Sequence, residues 1–156
     1  MPSIRSTIKK LQADFPGYRF EAADEFWWSA AKETIFYDPK ATHSYAYTLH
    51  ELSHAVLGHR GYQRDIELLK LERDAWEYAR SILAPIYGAP IDNDTVQDNL
   101  DTYRQWLHSR STCPECETTG IQTRGALVYR CLACGHQWHV NEARLCALRR
   151  YSLQTK

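Results

Sequence analysis

Apolar residues recur along this chain with two different periods, and the change of period predicts the order of its elements. A helical period marks residues 3–12, where Ile4, Ile8 and Leu11 fall on one face. The next segments are short and rich in aromatic residues, which predicts a group of short antiparallel strands. These segments are Tyr18–Glu21, Glu25–Ser29 and Glu33–Tyr37.

Two longer helices are predicted after the strands. The first contains residues 45–58, is apolar on nearly all sides as a buried helix should be, and ends at Gly61. The second runs from Asp65 to about Ile86. Short strands followed by helices indicate an α+β fold, in which a small antiparallel or mixed sheet packs on these two helices. The strand at 33–37 has two interpretations, one in which it borders a cleft and pairs with an extended substrate and one in which it is an ordinary core strand.

The first of these helices carries the pattern that says most about function. His50 and His54 are four residues apart, so both imidazoles project from one face of the helix and can bind one Zn²⁺. Glu51 lies beside them, where its carboxylate can take a proton from a water molecule that the metal activates. His59 faces half a turn away from His50, so it is excluded as a direct ligand. The pattern predicts a zinc-dependent peptidase, against the alternative of a surface helix with scattered histidines.

A third zinc ligand is predicted from the phase of the second helix. Glu72 lies in the middle of an apolar stripe, whereas Asp74 lies about 200° around the helix, on the polar side. A lone carboxylate within an apolar stripe is typical of a metal ligand, and a salt bridge to Arg60 or Arg64 is the alternative. The stripe consists of Leu68, Leu69, Ala75, Trp76, Ala79 and Leu83.

A second metal site is predicted by two CxxC pairs. Cys113 and Cys116 form one pair, Cys131 and Cys134 form the other, and 14 residues separate the pairs. Together they predict a closed tetrahedral Cys₄ zinc site, with Gly135 suited to a left-handed turn after the second pair. A ribbon of about 30 residues cannot bury enough apolar surface to fold alone, so we expect the metal to hold it folded. Two disulfides or a redox-active pair are the competing interpretations.

The predicted ribbon has a distinctive charge and one spare cysteine. Strands are expected at 126–130 and 137–140, followed by a helix that starts near Asn141. Cys146 lies on that helix and is expected to be a small buried apolar residue rather than a ligand. Residues 113–156 carry six Lys and Arg against three acidic residues. Basic surface with aromatic residues can bind nucleic acid, recruit a substrate or pack on the neighbouring domain.

Three segments are predicted for the whole chain. Residues 1–110 form a metallopeptidase-like domain that includes a helix capped by Asn93 or Asp94, residues 111–140 form the zinc ribbon, and 141–156 form a C-terminal helix and tail. The chain has 19 Lys and Arg and 19 Asp and Glu, so net charge does not steer it towards polyanions. Because no apolar run approaches the ~20 residues of a membrane span and no signal peptide is evident, no membrane partner and a cytoplasmic location are expected.

Two stretches of the chain together resemble the ImmA/IrrE family of small zinc metallopeptidases. Residues 50–59 read HELSHAVLGH, like the active-site helix of that family. Residues 72–85 read ERDAWEYARSILAP, like its second motif, in which a glutamate precedes a small residue, an aromatic residue, an alanine and a closing proline. The resemblance covers roughly residues 1–87. Trp76 and Tyr78 depart from it, because the family commonly has Asn and Phe at those places.

The resemblance implies a specific set of roles. His50, His54 and Glu72 would hold the catalytic zinc ion, and Glu51 would be the general base. Family members are proteases that cut a repressor or a DNA-response regulator, which implies that the partner of this chain is one regulatory protein substrate rather than many.

Two other functions stay open. A SprT-like DNA-dependent protease also joins a His-Glu-x-x-His helix to a zinc ribbon, but it would use a third histidine. No histidine lies at a suitable place downstream before His108. The other alternative is a non-catalytic zinc module that binds a partner or senses redox state through Cys146.

Overall fold

An α+β fold, as the order of elements predicts, is what the computed structural model of the chain shows. The structure describes residues 2–123, 127–142 and 150–153. Two compact units form, and each draws on two separate stretches of sequence. The first unit consists of Met1–Gly61 and Leu71–Gln97, and the second of Tyr62–Lys70 and Asp98–Lys156.

The first helix, α1 (Ile4–Asp14), begins where its sequence provides a cap. The side-chain oxygen of Ser3 accepts a hydrogen bond from the backbone N–H of Ser6 at 3.2 Å, which satisfies one of the free donors of the first turn. Ile8 and Leu11 are buried, as the predicted apolar face requires. The helix predicted at 3–12 is therefore confirmed, with an end two residues later.

The aromatic segments form a three-stranded sheet of β1 (Arg19–Ala22), β2 (Trp27–Ser29) and β3 (Thr34–Tyr37), in the order β1-β3-β2. The strand positions are confirmed, but the antiparallel prediction is wrong for one pair, since β1 runs parallel to β3. The chain reverses twice between these two strands, so they point the same way. Because β3 is central, both its edges are occupied, and the prediction that residues 33–37 pair with a substrate is wrong.

The helix that carries both histidines, α2 (Ser44–Val56), is shorter than predicted. It ends before Gly61 because Gly58 takes a left-handed conformation, with φ 71°, and turns the chain away from the helix axis. Leu49 and Leu52 on α2 and Ile35 in β3 are fully buried. They form the core between this helix and the sheet.

The second predicted helix is present over its whole length but changes pitch. It consists of α3 (Asp65–Tyr78), a π-helical turn (Ala79–Leu83) and α4 (Ala84–Tyr87). Pro85 has no N–H to donate, and its ring crowds the preceding turn, which accounts for the wider turn just before it.

The last helix, α5 (Asn93–Ser111), differs from prediction at both ends. The predicted cap is wrong, because the carboxylate of Asp92 accepts the backbone N–H of Thr95 at 2.7 Å. At its other end the helix continues to Ser111, past the boundary expected after residue 110 between the first domain and the ribbon.

A four-stranded antiparallel sheet in the order β4-β5-β6-β7 follows. Its strands are β4 (Ile121–Gln122), β5 (Val128–Arg130), β6 (Gln137–Val140) and β7 (Arg150–Ser152). The predicted ribbon pair corresponds to β5 and β6, in which Tyr129 faces Trp138. The expected helix from Asn141, with Cys146, falls mainly on residues 143–149, outside the described residues. Strand β7 was not predicted. Across the described residues, no helix has both the length and the apolar character of a membrane span.

A buried ion pair stabilises the second unit. The Nε of Arg110 donates to Asp65 at 2.8 Å, and both side chains are almost completely buried. The hydroxyl of Tyr129 donates to the same carboxylate at 2.6 Å, and Trp138 donates to the backbone carbonyl of Arg110 at 2.9 Å. Burial, the hydrogen bond and the charge of Asp65 together raise the pKa of Tyr129 above its ordinary value. Such a network is favourable only because each buried polar group has partners.

Gly120 is the position where we expect a single methyl group to disturb the second unit most. A Cβ there would lie 2.5 Å from Cη2 of Trp138 and 2.7 Å from the carbonyl oxygen of Arg130. Neither neighbour can easily move, since one is a buried ring and the other is backbone. We expect Gly120→Ala to lower the free energy of unfolding by about 1–3 kcal/mol, measured by chemical denaturation of the metal-loaded protein.

The matched control for this prediction is Gly17→Ala, because a Cβ at Gly17 would have no heavy atom within 4 Å. Equal unfolding midpoints for the two variants would contradict the close packing of Trp138 on Gly120.

Candidate metal centres

The side chains of His50 and His54 on α2 and of Glu72 on α3 meet in the first unit, and we call these three residues the His–Glu site. The Nε2 atom of His50 lies 3.0 Å from Oε2 of Glu72 and 3.2 Å from Nε2 of His54. The Nε2 atom of His54 lies 3.4 Å from Oε1 of Glu72. A tetrahedral zinc ion with nitrogen and oxygen ligands separates neighbouring ligand atoms by about 3.3 Å. The three donors are therefore spaced as zinc ligands are.

Burial and charge at the His–Glu site also suit a metal ion. His50 is 4 % exposed and Glu72 is 5 % exposed. Burial raises the pKa of Glu72, but the hydrogen bonds and charges of both histidines outweigh it and hold that pKa well below the ordinary value. The carboxylate is thus ionised, which is the form that binds metals.

The alternative partners of Glu72 are not realised in the described part of the chain. Its carboxylate contacts the two histidines and not Arg60 or Arg64. Asp74, the other acidic candidate on α3, instead pairs with Arg73 at 2.7 Å on the surface. Helical phase therefore predicted correctly that the carboxylate of Glu72 is buried and that the carboxylate of Asp74 lies at the surface.

The ring of Trp76 fixes the first histidine and was missed as a site residue. It stacks on His50 with 4.1 Å between ring centroids and 16° between planes. Trp76 is fully buried and lies one helical turn after Glu72. The signal in the sequence was the i+4 spacing of Glu72 and Trp76, which places the indole next to the groups that contact the Glu72 carboxylate. The Nδ1 atom of His50 is buried with no hydrogen-bond partner among the described residues, so stacking is what holds its ring.

The other candidate residues lie close by. Glu51 is partly exposed, and within residues 2–123, 127–142 and 150–153 no hydrogen bond or ion pair engages its carboxylate. Glu51 follows His50 directly on α2, and a carboxylate next to a metal ligand in the sequence is a candidate general base. His59 is not one of the three converging side chains. Its ring lies behind His54, with 2.9 Å between the two Nδ1 atoms.

Four cysteine side chains converge in the second unit. The Sγ atoms of Cys113 and Cys134 are 3.7 Å apart, those of Cys116 and Cys131 are 3.4 Å apart, and all four lie within 4.8 Å of one another. Four thiolates on zinc at about 2.3 Å would be separated by about 3.8 Å. A disulfide would need about 2.05 Å, so the spacing fits a metal cluster and not the alternative of two disulfides.

The backbone around each CxxC pair makes the same turn. The N–H of Glu117 donates to the carbonyl of Cys113 at 2.9 Å, and the N–H of Gly135 donates to that of Cys131 at 3.0 Å. Both donor residues have a left-handed backbone conformation, with φ 62° for Glu117 and 75° for Gly135. Only the conformation of Gly135 was predicted. Hydrogen bonds with Thr118 lower the pKa of Cys116 to about 6, which favours the metal-binding thiolate at neutral pH.

Either donor set could hold a metal ion, and one offers two nitrogens and a carboxylate while the other offers four thiolates, which are donors that zinc commonly takes. We expect purified protein to contain two zinc ions per chain. Glu72→Ala should lose one ion, because it removes a charged ligand from a buried site, whereas Asp74→Ala should keep both. Metal content after gel filtration, measured by atomic emission, tests this. Loss of zinc from Asp74→Ala alone would show that the ligand is misassigned.

We expect the cysteine cluster to hold β4–β6 folded. Replacing Cys113 and Cys131 together by serine should release the second ion and open this sheet, because its apolar core is small. Hydrogen exchange should then increase over residues 113–140 while α2 stays protected. Unchanged protection of 113–140 in the metal-free variant would rule out this role of the metal.

A scan against protein-family models matches no family, and searches of curated proteins and of solved structures find no similar protein. The resemblance to the ImmA/IrrE family therefore stays a prediction from the motifs.

Proposed function

We propose that this protein is a zinc-dependent endopeptidase that cleaves a regulatory protein. The observation that carries the proposal is the convergence of His50, His54 and Glu72, whose donor atoms lie 3.0–3.4 Å apart. Glu51 follows His50 directly in the same helix. The donor set, the spacing and the adjacent base are together those of a hydrolytic zinc site.

The two candidate centres differ in a way that supports catalysis at one of them. Four thiolates complete the coordination of zinc, so the cysteine cluster suits a structural role. Three protein ligands leave one coordination position open at the His–Glu site. The side chain of His54 is 12 % exposed, against 5 % for His50 and 6 % for Glu72, so solvent and substrate can approach from the side of His54.

The chemistry divides between the metal and Glu51. Zinc, when bound, lowers the pKa of a water molecule towards neutrality and polarises the carbonyl of the scissile peptide. Glu51 accepts a proton from the attacking water as its oxygen bonds to the carbonyl carbon. Glu51 then gives that proton to the leaving nitrogen as the C–N bond breaks. The second proton of the water passes from the new carboxyl group to the amine, so one water is consumed and a carboxylate and an ammonium group are formed.

The choice of substrate rests on the motifs alone. Their resemblance to the ImmA/IrrE family favours one repressor or regulator, met in the cytoplasm, over broad digestion. A SprT-like protease would need a histidine where Glu72 lies, so the third ligand favours the first proposal. Nucleic-acid contact by the ribbon stays a prediction, because Arg124, Arg144 and Arg149 lie outside the described residues.

Glu51→Gln tests the proposed base directly. Glutamine keeps the size of the side chain but cannot accept a proton, so cleavage should fall by about 10²–10⁴-fold while both zinc ions stay bound. Cell extract from the source organism is incubated with wild type or variant, and the new protein termini are sequenced. Termini that appear only with wild type identify the substrate and the cleaved bond.

Glu77→Gln is the matched control, because it makes the same change on the exposed side of α3 and preserves a hydrogen-bond acceptor for Ser81. It should cleave like wild type. Cleavage by Glu51→Gln at a rate near that of wild type would remove Glu51 from the mechanism.

A further inference from the structure

We propose that His59 is a positioning residue of the His–Glu site. It accepts a hydrogen bond from Nδ1 of His54 and so keeps the Nε2 lone pair of His54 directed at the metal. The inference rests on the proposed zinc site and adds to it a residue that does not touch the ion.

The end of α2 brings His59 to this position. Gly58 is left-handed, its N–H donates to the carbonyl of Ala55 at 3.1 Å, and the N–H of His59 donates to the carbonyl of His54 at 2.9 Å. This pair of hydrogen bonds is the Schellman motif, in which the residue after the left-handed one returns to the last turn of the helix. His59 is therefore placed against His54, although a continued helix would have carried it away.

Metal binding requires one particular tautomer of each ring. A neutral imidazole has one N–H and one lone pair. The Nε2 atom of His54 faces Glu72 and His50 and can bind a metal only through its lone pair, so the binding-competent form of His54 carries its proton on Nδ1. That Nδ1 lies 2.9 Å from Nδ1 of His59, which must then be the acceptor. His59 consequently carries its own proton on Nε2.

The two ligand histidines are thus held by different means. His50 is fully enclosed and stacks on Trp76, and its Nδ1 has no hydrogen-bond partner among the described residues. His54 lies at the more exposed side of the site, so a hydrogen bond from behind is what restricts the rotation of its ring. Hydrogen bonds of this kind typically change metal affinity by about 10–100-fold.

Two substitutions separate the hydrogen bond from the bulk of the side chain. His59→Leu fills similar space without an acceptor, whereas His59→Asn puts a carbonyl oxygen near the place of Nδ1. Zinc affinity is measured by chelator competition, and the same titration of His50→Ala supplies the contribution of the cysteine cluster. We expect the dissociation constant of the His–Glu site to rise about 10–100-fold in His59→Leu and to recover largely in His59→Asn.

Arg60→Ala is the control, since it removes an exposed neighbour of His59 and should leave the affinity unchanged. Nitrogen-15 spectra of the imidazoles give a second readout that needs no enzymatic activity. In the metal-free protein, wild type should show His54 mainly with its proton on Nδ1, and His59→Leu should shift this proton towards Nε2, which lies beside Glu72.

Each outcome has a distinct meaning. Equal zinc affinity and an unchanged tautomer in His59→Leu would overturn the role of His59 and leave the proposed peptidase intact. Equal weakening by His59→Leu and His59→Asn would show that bulk matters and would also overturn it. If wild type binds no more zinc than His50→Ala, the proposed function fails, and the inference fails with it.

Discussion

The first unit depends on the meeting of three donor atoms in a space that water barely reaches. An ionised carboxylate buried without partners would cost several kcal/mol, and Glu72 avoids this cost only because both imidazoles face it. Those imidazoles project from one turn of α2, so α3 must present Glu72 at that turn and no other. A cation bound among these atoms would join the two helices, so the same contacts would serve both the fold and the proposed chemistry.

The second unit meets a similar constraint with different groups. Its apolar cluster is small and includes Cys113 and Cys131 themselves, so the sulfur site and the core are the same structure. Asp65 then joins α3 to the rest of this unit through Arg110 and Tyr129. Each unit is thus stabilised around polar atoms that only a metal or an ion pair can satisfy, as small cores often require.

Local spacing in the sequence was enough to predict most of the two candidate centres. Helical phase needs only neighbours along one helix, and it separated Glu72 from Asp74. The CxxC pairs are likewise local. Strand direction was not predictable in the same way, because β1 and β3 become partners only after β2 has reversed the chain. The roles of Trp76 and His59 depend on contacts across helices and on where α2 ends, which periodicity alone does not give.

The end of α2 shows how one glycine changes the meaning of a histidine. Counted along an ideal helix, His59 faces away from His50, and it is not one of the three side chains that converge in the described part of the chain. The helix ends before it reaches His59, however. The left-handed turn at Gly58 folds the chain back over His54, which is the third residue from the end of the helix. His54 occupies this position only because three residues separate it from Gly58. An insertion or deletion within 55–57 would rotate the metal-binding face relative to the turn, so the distance from His54 to Gly58 constrains the site as strictly as the spacing of His50 and His54 does.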